Sequence, residues 1–138
     1  MKVTMTIAGS DSGGGAGIQA DLKTFQELNT FGTSAITALT AQNTLGVTGV
    51  HAAPPEFVLA QIDAVLADFE VQAIKTGMLF SVEIIEVVAK RMADYQGVLV
   101  VDPVMIAKGG ASLLQQQAVA AMRSQLLPVA TVITPNIP

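Results

Sequence analysis

A glycine-rich segment near the N-terminus is the first part of the sequence whose composition suits ligand chemistry. It contains four closely spaced glycines: Gly13, Gly14, Gly15 and Gly17. It is not the dinucleotide-binding fingerprint, because Ile18 stands where a third glycine belongs, and it lacks the Gly-Lys-Ser/Thr of a Walker A loop. The segment is therefore either a flexible turn between a strand and a helix, or a loop whose backbone and helix N–H groups approach a small ligand closely.

Other polar side chains stand at points where apolar runs end. Gln42 and Asn43 either satisfy loop backbone or, in the case of Gln42, bind an aminopyrimidine edge, because the amide carbonyl accepts from an amino group while its NH₂ donates to a ring nitrogen. Asp102 is either a turn cap or a source of negative charge for a phosphate region or a metal-bound water. Lys108 is either a solvated loop lysine or a phosphate contact.

The remaining candidate residues are less specific. Met78 and Met105 either fill gaps in a core or pack on a heteroaromatic ring. The single histidine, His51, is interpreted as a surface loop residue rather than a catalytic one. The chain has no cysteine, which excludes disulfides, thiolate zinc sites and cysteine catalysis within it.

The apolar pattern predicts five strands alternating with four helices. The predicted strands are Val3–Ala8, Gly32–Ala41, Val71–Lys75, Val98–Val101 and Thr131–Thr134. The predicted helices are Gly17–Asn29, one that begins at Pro54 or Pro55, one capped by Ser81, and one from about Gln115 to Leu127. Continuously apolar strands indicate a parallel sheet with helices on both faces. Ligands bind beyond the carboxyl ends of such strands, which is where the candidate residues stand.

Composition excludes several classes of protein. The 138 residues carry a net charge of −4, and 51% are hydrophobic whereas 13% are charged. So apolar a chain is not disordered, and so few cations form no nucleic-acid-binding surface. No stretch reaches the roughly 20 consecutive apolar residues that a membrane helix needs, and no signal peptide is recognised. We expect a single cytoplasmic domain over residues 1–138, with no membrane or nucleic-acid partner.

Several segments together resemble one enzyme family. They are Thr6–Phe25, Ala35–Thr44, Ile74–Leu79, Val101–Gly110, Leu126–Pro128 and Ile133–Pro138. They are similar to the hydroxymethylpyrimidine/phosphomethylpyrimidine kinases of thiamine biosynthesis, in the ribokinase-like superfamily. The resemblance implies a three-layer α/β/α fold with a mostly parallel sheet, truncated after the fifth predicted strand. Pyridoxal kinases are relatives in the same superfamily and are the nearest competing assignment.

The resemblance also implies roles for individual residues. Gln42 would bind the pyrimidine, and the rest of its pocket would be lined by Gly9, Met78 and Val104. Asp102 and Asn136 would lie toward the phosphates and Mg²⁺, with Lys108 in the same vicinity, and Asp21 matches a family position. The reaction would move the γ-phosphoryl group of ATP to the hydroxymethyl oxygen of the pyrimidine, and then to the resulting phosphate.

Members of this family continue past the point where this chain stops. The absent half would carry the Glu after the Thr-Pro-Asn-x-Pro motif, most of the ATP site, the anion hole and the catalytic base. We therefore expect no catalytic residue and no kinase activity in this chain alone. The alternatives are a non-catalytic pyrimidine-binding module, or a chain that works after pairing with a second copy or with a complementary C-terminal half.

Overall fold

The computed structural model describes residues 1–104 and 112–135. The strands are β1 (Val3–Ala8), β2 (Phe31–Ile36), β3 (Ala38–Asn43), β4 (Gly46–Ala52), β5 (Val71–Thr76), β6 (Val98–Val101) and β7 (Val132–Ile133). The helices are α1 (Gly17–Glu27), α2 (Pro55–Asp68), α3 (Val82–Met92) and α4 (Ser112–Ala121). A π-helical turn (Met122–Leu126) and a 3-10 turn (Leu127–Val129) follow α4.

Five strands form one sheet in the order β2-β1-β5-β6-β7, and every pair in it is parallel. Side chains alternate across the sheet, so β1 has two different faces. Met5 and Ile7 are fully buried in the core formed with α2, α3 and the end of α4. Thr6 points the other way and donates to Asp21 on α1. The predicted three-layer arrangement, with helices on both faces of a parallel sheet, is confirmed.

Helix α3 shows why the sequence forms these elements. The Ser81 side chain accepts a hydrogen bond from the Ile84 N–H at 3.2 Å, as predicted for an N-cap. Glu83 lies in the first turn, and Lys90 and Arg91 lie in the last, so the charges complement the helix dipole. The buried face of the helix consists of Ile84, Ile85, Val88, Ala89 and Met92.

The predicted strand Gly32–Ala41 is wrong as one element, because it spans two. The chain leaves the sheet at Thr37, which is fully buried and joined to three segments. Its N–H donates to Ala8 O, its hydroxyl donates to Met78 O, and its carbonyl accepts from Ala53 N–H. β3 then pairs with β4 as a separate antiparallel hairpin, which the sequence reading missed. His51 is exposed, as predicted, but it lies in β4 rather than in a loop.

The C-terminal elements differ from their predicted bounds. The predicted helix from Gln115 to Leu127 begins earlier, at Ser112, and its last turns change to π- and 3-10-helix. The turn at Met122–Leu126 still buries the predicted Met122 and Leu126, because residues four positions apart lie on one face of a helix in either geometry. No helix in the described part of the chain is long and apolar enough to span a bilayer.

The open edge of the sheet at β2 is protected by a side chain. The Gln61 amide of α2 accepts from Ile36 N–H at 2.8 Å and donates to Ile36 O at 2.9 Å. Gln61 therefore satisfies the backbone groups that an edge strand leaves unpaired, and blocks pairing with another chain at that position. At the other end of β2, Phe31 stacks on Phe69 with 5.6 Å between the ring centroids.

Candidate ligand-binding site

The glycine-rich loop is organised around the carboxylate of Asp11, a residue that is only 6% exposed. One oxygen of Asp11 accepts from Gly13 N–H at 2.8 Å, and the other accepts from Gly15 N–H at 3.1 Å and Ala16 N–H at 2.9 Å. These amides precede the first residues of α1, where a bound anion would otherwise sit. The sequence interpretation in which helix N–H groups face a ligand does not apply to these three amides, because an internal carboxylate occupies them.

The loop also depends on close backbone contact at Gly17. Its φ is +60°, and a Cβ there would stand 2.5 Å from Gly9 O and 3.1 Å from Asp11 N. The next residue, Ile18, donates its N–H to Gly9 O at 3.0 Å. Glycine is required at position 17 because it permits both the left-handed conformation and the approach of α1 to the end of β1.

A cavity of about 290 Å³ opens beyond the carboxyl ends of β1, β5 and β6. Five of the seven residues that the family resemblance assigns to the pyrimidine pocket and the phosphate region line it together: Gly9, Gln42, Met78, Asp102 and Val104. The other two, Lys108 and Asn136, lie outside the described residues, as does Met105. The hairpin β3–β4 forms one wall, so an element that the sequence reading missed supplies part of the site.

Gln42 lies on that wall and is half-buried. Its backbone is held by Ser12, whose hydroxyl lies 2.7 Å from Gln42 N and 2.6 Å from Gln42 O, which ties the hairpin to the glycine-rich loop. Its side-chain Oε1 lies 3.2 Å from the Thr40 hydroxyl, which also lines the cavity. The amide therefore faces the cavity rather than the protein core, with its NH₂ group left for another acceptor.

A β-bulge gives the wall its apolar character. β3 and β4 pair Ala41 with Gly49 and then Gln42 with Val47, so that Thr48 is the extra residue. Two residues three positions apart on a regular strand face opposite sides, but the bulge places both Val47 and Val50 on the cavity. Both valines are more than 40% exposed, which leaves apolar surface available to a flat ring.

The floor of the cavity is built at Gly9. Its N–H donates to Met78 O at 3.1 Å, and a Cβ there would lie 2.7 Å from Met78 Cε. The next amide, Ser10 N–H, donates to Ala38 O at 2.8 Å. The end of β1 thus runs between the segment after β5 and the start of the hairpin, and a side chain at position 9 would displace the methionine from the cavity.

The sequence reading did not single out Lys75 as a site residue. Lys75 lies on β5 and also lines the cavity. Its Nζ contacts the two carboxylate oxygens of Asp21 at 3.0 and 2.9 Å, and Asp21 also accepts from the Thr6 hydroxyl at 2.6 Å. The available signal was a charged residue at the end of a predicted strand, directly before Thr76 and Gly77.

The end of β6 contributes Asp102, whose N–H donates to Thr76 O at 3.0 Å. No group of three His, Cys, Asp or Glu side chains that could hold a metal ion occurs within residues 1–104 and 112–135. Of the two carboxylates that line the cavity, Asp102 is the one that could face a Mg²⁺ ion or its bound water, because Asp11 is committed to the loop. One free carboxylate would fit part of a magnesium site and not a complete one.

A parallel α/β domain with a cavity at the carboxyl ends of its strands defines a small-molecule-binding enzyme fold. The family model described as phosphomethylpyrimidine kinase matches residues 11–138, and the chain belongs to this kinase family. It is 64% identical over 139 residues to the hydroxymethylpyrimidine/phosphomethylpyrimidine kinase of Haemophilus influenzae, covering 100% of this chain and 52% of that protein. It is 60% identical over 135 residues to the enzyme of the same name from Bacillus subtilis, covering 97% and 50%.

Solved structures give the same family and show the ribokinase-like fold. The phosphomethylpyrimidine kinase of Clostridium difficile matches with a TM-score of 0.90 and 50% identity, covering 100% of this chain and 60% of that one. The pyridoxal kinase of Bacillus subtilis, solved as an ADP complex, matches with a TM-score of 0.87 and 46% identity, covering 99% and 52%. The chain spans about half the length of the curated relatives given above.

Proposed function

We propose that this chain forms the pyrimidine-binding part of a kinase of cytoplasmic thiamine biosynthesis. The enzyme phosphorylates 4-amino-5-hydroxymethyl-2-methylpyrimidine on its hydroxymethyl oxygen and then phosphorylates the monophosphate. The observation that carries the proposal is the Gln42 amide on the wall of a cavity floored by Gly9, in a chain of this family. Its Oε1 accepts from the amino group of the pyrimidine, and its NH₂ donates to the adjacent ring nitrogen.

The described residues act by positioning the acceptor. Phosphoryl transfer depends mainly on alignment and charge stabilisation, so a ring held against Met78 and Val104 fixes the direction of its hydroxymethyl group. ATP supplies the phosphoryl group, with Mg²⁺ compensating the phosphate charge, and the structure of Staphylococcus aureus pyridoxal kinase with AMP-PCP and pyridoxal supports nucleotide use in this fold. Asp102 lies at the phosphate end of the site, and Lys108 and Asn136 are assigned to it by family resemblance.

The hydroxymethyl oxygen attacks the γ-phosphorus, the bond to the β-γ bridging oxygen breaks, and the hydroxyl proton leaves to a base. No described residue of this chain is assigned as that base. We expect the purified 138-residue chain to release no ADP in response to the pyrimidine. Turnover that depends on the pyrimidine would contradict this expectation.

Calorimetric titration of this chain with the hydroxymethylpyrimidine tests the binding proposal. The Gln42→Ala variant should bind about 5- to 150-fold more weakly, because the loss of a two-point hydrogen-bonded contact costs about 1–3 kcal/mol. Gln26→Ala is the matched control, since Gln26 is an exposed amide on α1 outside the lining of this cavity. Equal affinities of the wild type and Gln42→Ala would overturn the proposed role of Gln42.

A pyridoxal kinase is the second candidate function, favoured by the 46% identity to the Bacillus subtilis enzyme. When the two hydroxymethyl groups are superposed, pyridoxal presents a formyl group where the pyrimidine presents its amino group, and a hydroxyl-bearing ring carbon where the pyrimidine presents the adjacent ring nitrogen. The two-point contact of Gln42 suits the pyrimidine, so we expect tighter binding of the pyrimidine than of pyridoxal by the wild type. The preference should shrink in Gln42→Ala.

We also propose that the chain associates, either with a second copy or with a complementary C-terminal half. The hairpin and β7 leave apolar side chains more than 40% exposed, including Leu39, Leu45, Val132 and Ile133. Contiguous exposed apolar surface is typical of an interface. Light scattering at micromolar concentration should show species larger than a monomer for the isolated chain, and a clean monomer would contradict association between copies.

A further inference from the structure

Lys75 is the only basic side chain among the described residues that line the cavity. It is partly buried, with 28% of its side chain exposed, and its ammonium is paired with Asp21, of which 18% is exposed. Burying a long cationic side chain in the central strands of a sheet costs desolvation and rotamer entropy. A position that only needed to fill space here would be occupied by an apolar residue, like its neighbour Ile74 on the same strand.

Asp21 holds the ammonium in one place, and Thr6 in turn holds the Asp21 carboxylate. The Asp21 carboxylate accepts from Lys75 at 2.9 and 3.0 Å, and the fully buried Thr6 hydroxyl donates to that carboxylate at 2.6 Å. An ammonium has three N–H donors. Two are directed to Asp21, and no other acceptor within the described residues contacts Nζ.

Gly77 keeps the space beside the ammonium open. A Cβ at Gly77 would lie 3.0 Å from Lys75 Nζ and 2.9 Å from Ala8 Cβ, and Gly77 and Ala8 both line the cavity. The absence of a side chain at Gly77 therefore leaves the ammonium accessible from the cavity.

We propose that Lys75 is a substrate-binding residue that donates its third N–H to a ring nitrogen of the bound heterocycle, and that Asp21 is the positioning residue that holds it. This inference rests on the proposed function. A pyrimidine has two ring nitrogens, and Gln42 serves only the one next to the amino group. The second nitrogen needs a donor, because an acceptor buried without a partner costs about 1–3 kcal/mol.

The positions of Gln42 and Lys75 in the fold are consistent with each residue binding a different ring nitrogen. The segment Gly9–Ser10 hydrogen-bonds to Met78 on one side and to Ala38 on the other. Gln42 approaches the cavity from the hairpin side and Lys75 from the β5 side. A neutral ring nitrogen is favoured over a phosphate as the acceptor, because Asp21 already balances the charge of Lys75 and one N–H remains.

The test compares three ligands by calorimetry: the hydroxymethylpyrimidine and the two pyridine analogues in which one ring nitrogen is replaced by C–H. Wild-type protein should lose about tenfold or more in affinity on either replacement. Lys75→Met should bind the pyrimidine and the analogue lacking the nitrogen remote from the amino group equally. It should still discriminate against the other analogue, because Gln42 is intact.

Lys90→Met is the control, since Lys90 is an exposed lysine at the end of α3 and should leave all three affinities unchanged. If Lys75 had only a structural role, Lys75→Met would instead lower the binding affinity for all three ligands by the same factor, and that result would overturn the inference. Lys75→Met leaves the Asp21 carboxylate without its partner, which can prevent folding. In that case the double variant Asp21→Asn/Lys75→Met, which removes both charges, serves as the second test.

The affinities of the wild type also separate the two proposals. Equal affinity of the wild type for the pyrimidine and for the analogue lacking the remote ring nitrogen would overturn the role of Lys75 while leaving the proposed function standing. Failure of the wild type to bind the pyrimidine at all would overturn the proposed function, and the role of Lys75 with it.

Discussion

Replacing Asp11 with asparagine should destabilise the protein although the two side chains have the same shape. The carboxylate accepts three backbone N–H groups, from Gly13, Gly15 and Ala16, at 2.8–3.1 Å. An amide has one accepting oxygen and one donating NH₂. If the oxygen keeps the two contacts of Oδ2, the NH₂ points at the Gly13 N–H, and a donor faces a donor.

The magnitude follows from these contacts. A hydrogen bond to a charged group contributes about 1.5–3 kcal/mol, so the loss of one such bond and the weakening of two others should cost about 2–3 kcal/mol of unfolding free energy. For a chain of this length, that corresponds to a fall in melting temperature of roughly 6–12 °C. The same variant should bind the pyrimidine more weakly, because the loop that Asp11 organises also holds Gln42 through Ser12.

Thermal and urea unfolding followed by circular dichroism measure the stability, and calorimetry measures the binding. Asp63→Asn is the matched control, because Asp63 is 53% exposed and pairs with Arg91 on the surface, where ion pairs contribute about 0–1 kcal/mol. A melting temperature of Asp11→Asn equal to that of the control would refute the view that this carboxylate organises the loop.

Two further outcomes are expected. Gly17→Ala should cost at least about 1–2 kcal/mol of unfolding free energy in urea, because φ is +60° and the new Cβ would meet Gly9 O at 2.5 Å. Gly15→Ala is the control and should cost less than about 1 kcal/mol, because a Cβ there has its nearest contact at 3.9 Å. Similar costs for the two variants would contradict the strain argument. Burial raises the pKa of Tyr95, whose hydroxyl donates to Val71 O. Its contribution to stability is therefore present below the unfolded pKa of about 10 and lost as the pH rises through the higher folded value. Unfolding free energy should fall more steeply above pH ~10 in the wild type than in Tyr95→Phe, and parallel curves would count against this.

The parallel sheet was predictable because its central strands are largely buried. A short run rich in β-branched residues identified β1, and a run of valine and leucine identified β6, both with their observed bounds. The register of the buried face of α3 was equally clear, because Ile85, Val88, Ala89 and Met92 repeat at helical spacing. Buried positions must be apolar, so elements with a buried face show a recognisable pattern in the sequence.

The hairpin was missed for the opposite reason. β4 contains two glycines, a threonine and a histidine, and most of its residues are exposed, so neither alternation nor a continuous apolar run marks it. The turn carries a signal that could have found it: Asn43 Oδ1 accepts from Leu45 N–H, and Gly46 follows with φ +152°. The exit from the sheet at Thr37 depends on three hydrogen bonds to segments distant in sequence, two from its backbone and one from its hydroxyl, which no local pattern records.

The residues of the candidate site divide in the same way. Gly9, Gln42, Met78, Asp102 and Val104 follow predicted strand ends or a family pattern, and they line one cavity. Lys75 was passed over because it lies inside a strand, and its relation to Asp21 spans 54 positions of sequence. The internal use of the helix N–H groups by Asp11 was also invisible, because composition does not tell whether a glycine-rich loop holds a ligand or its own carboxylate.

The floor and the hairpin wall of the cavity belong to different sheets, so a change of register in one need not alter the other. The floor is set by strands whose spacing is locked by the central sheet, and a one-residue length change there would rotate a whole strand's side chains into the wrong layer. The hairpin is a separate sheet, so a shift of the bulge that paired Thr48 with Gln42 would replace Val47 by Thr48 on the cavity wall, while Val50 and the five-stranded sheet keep their register. Changes near residue 48 can therefore alter which rings the wall accepts without disturbing the central sheet.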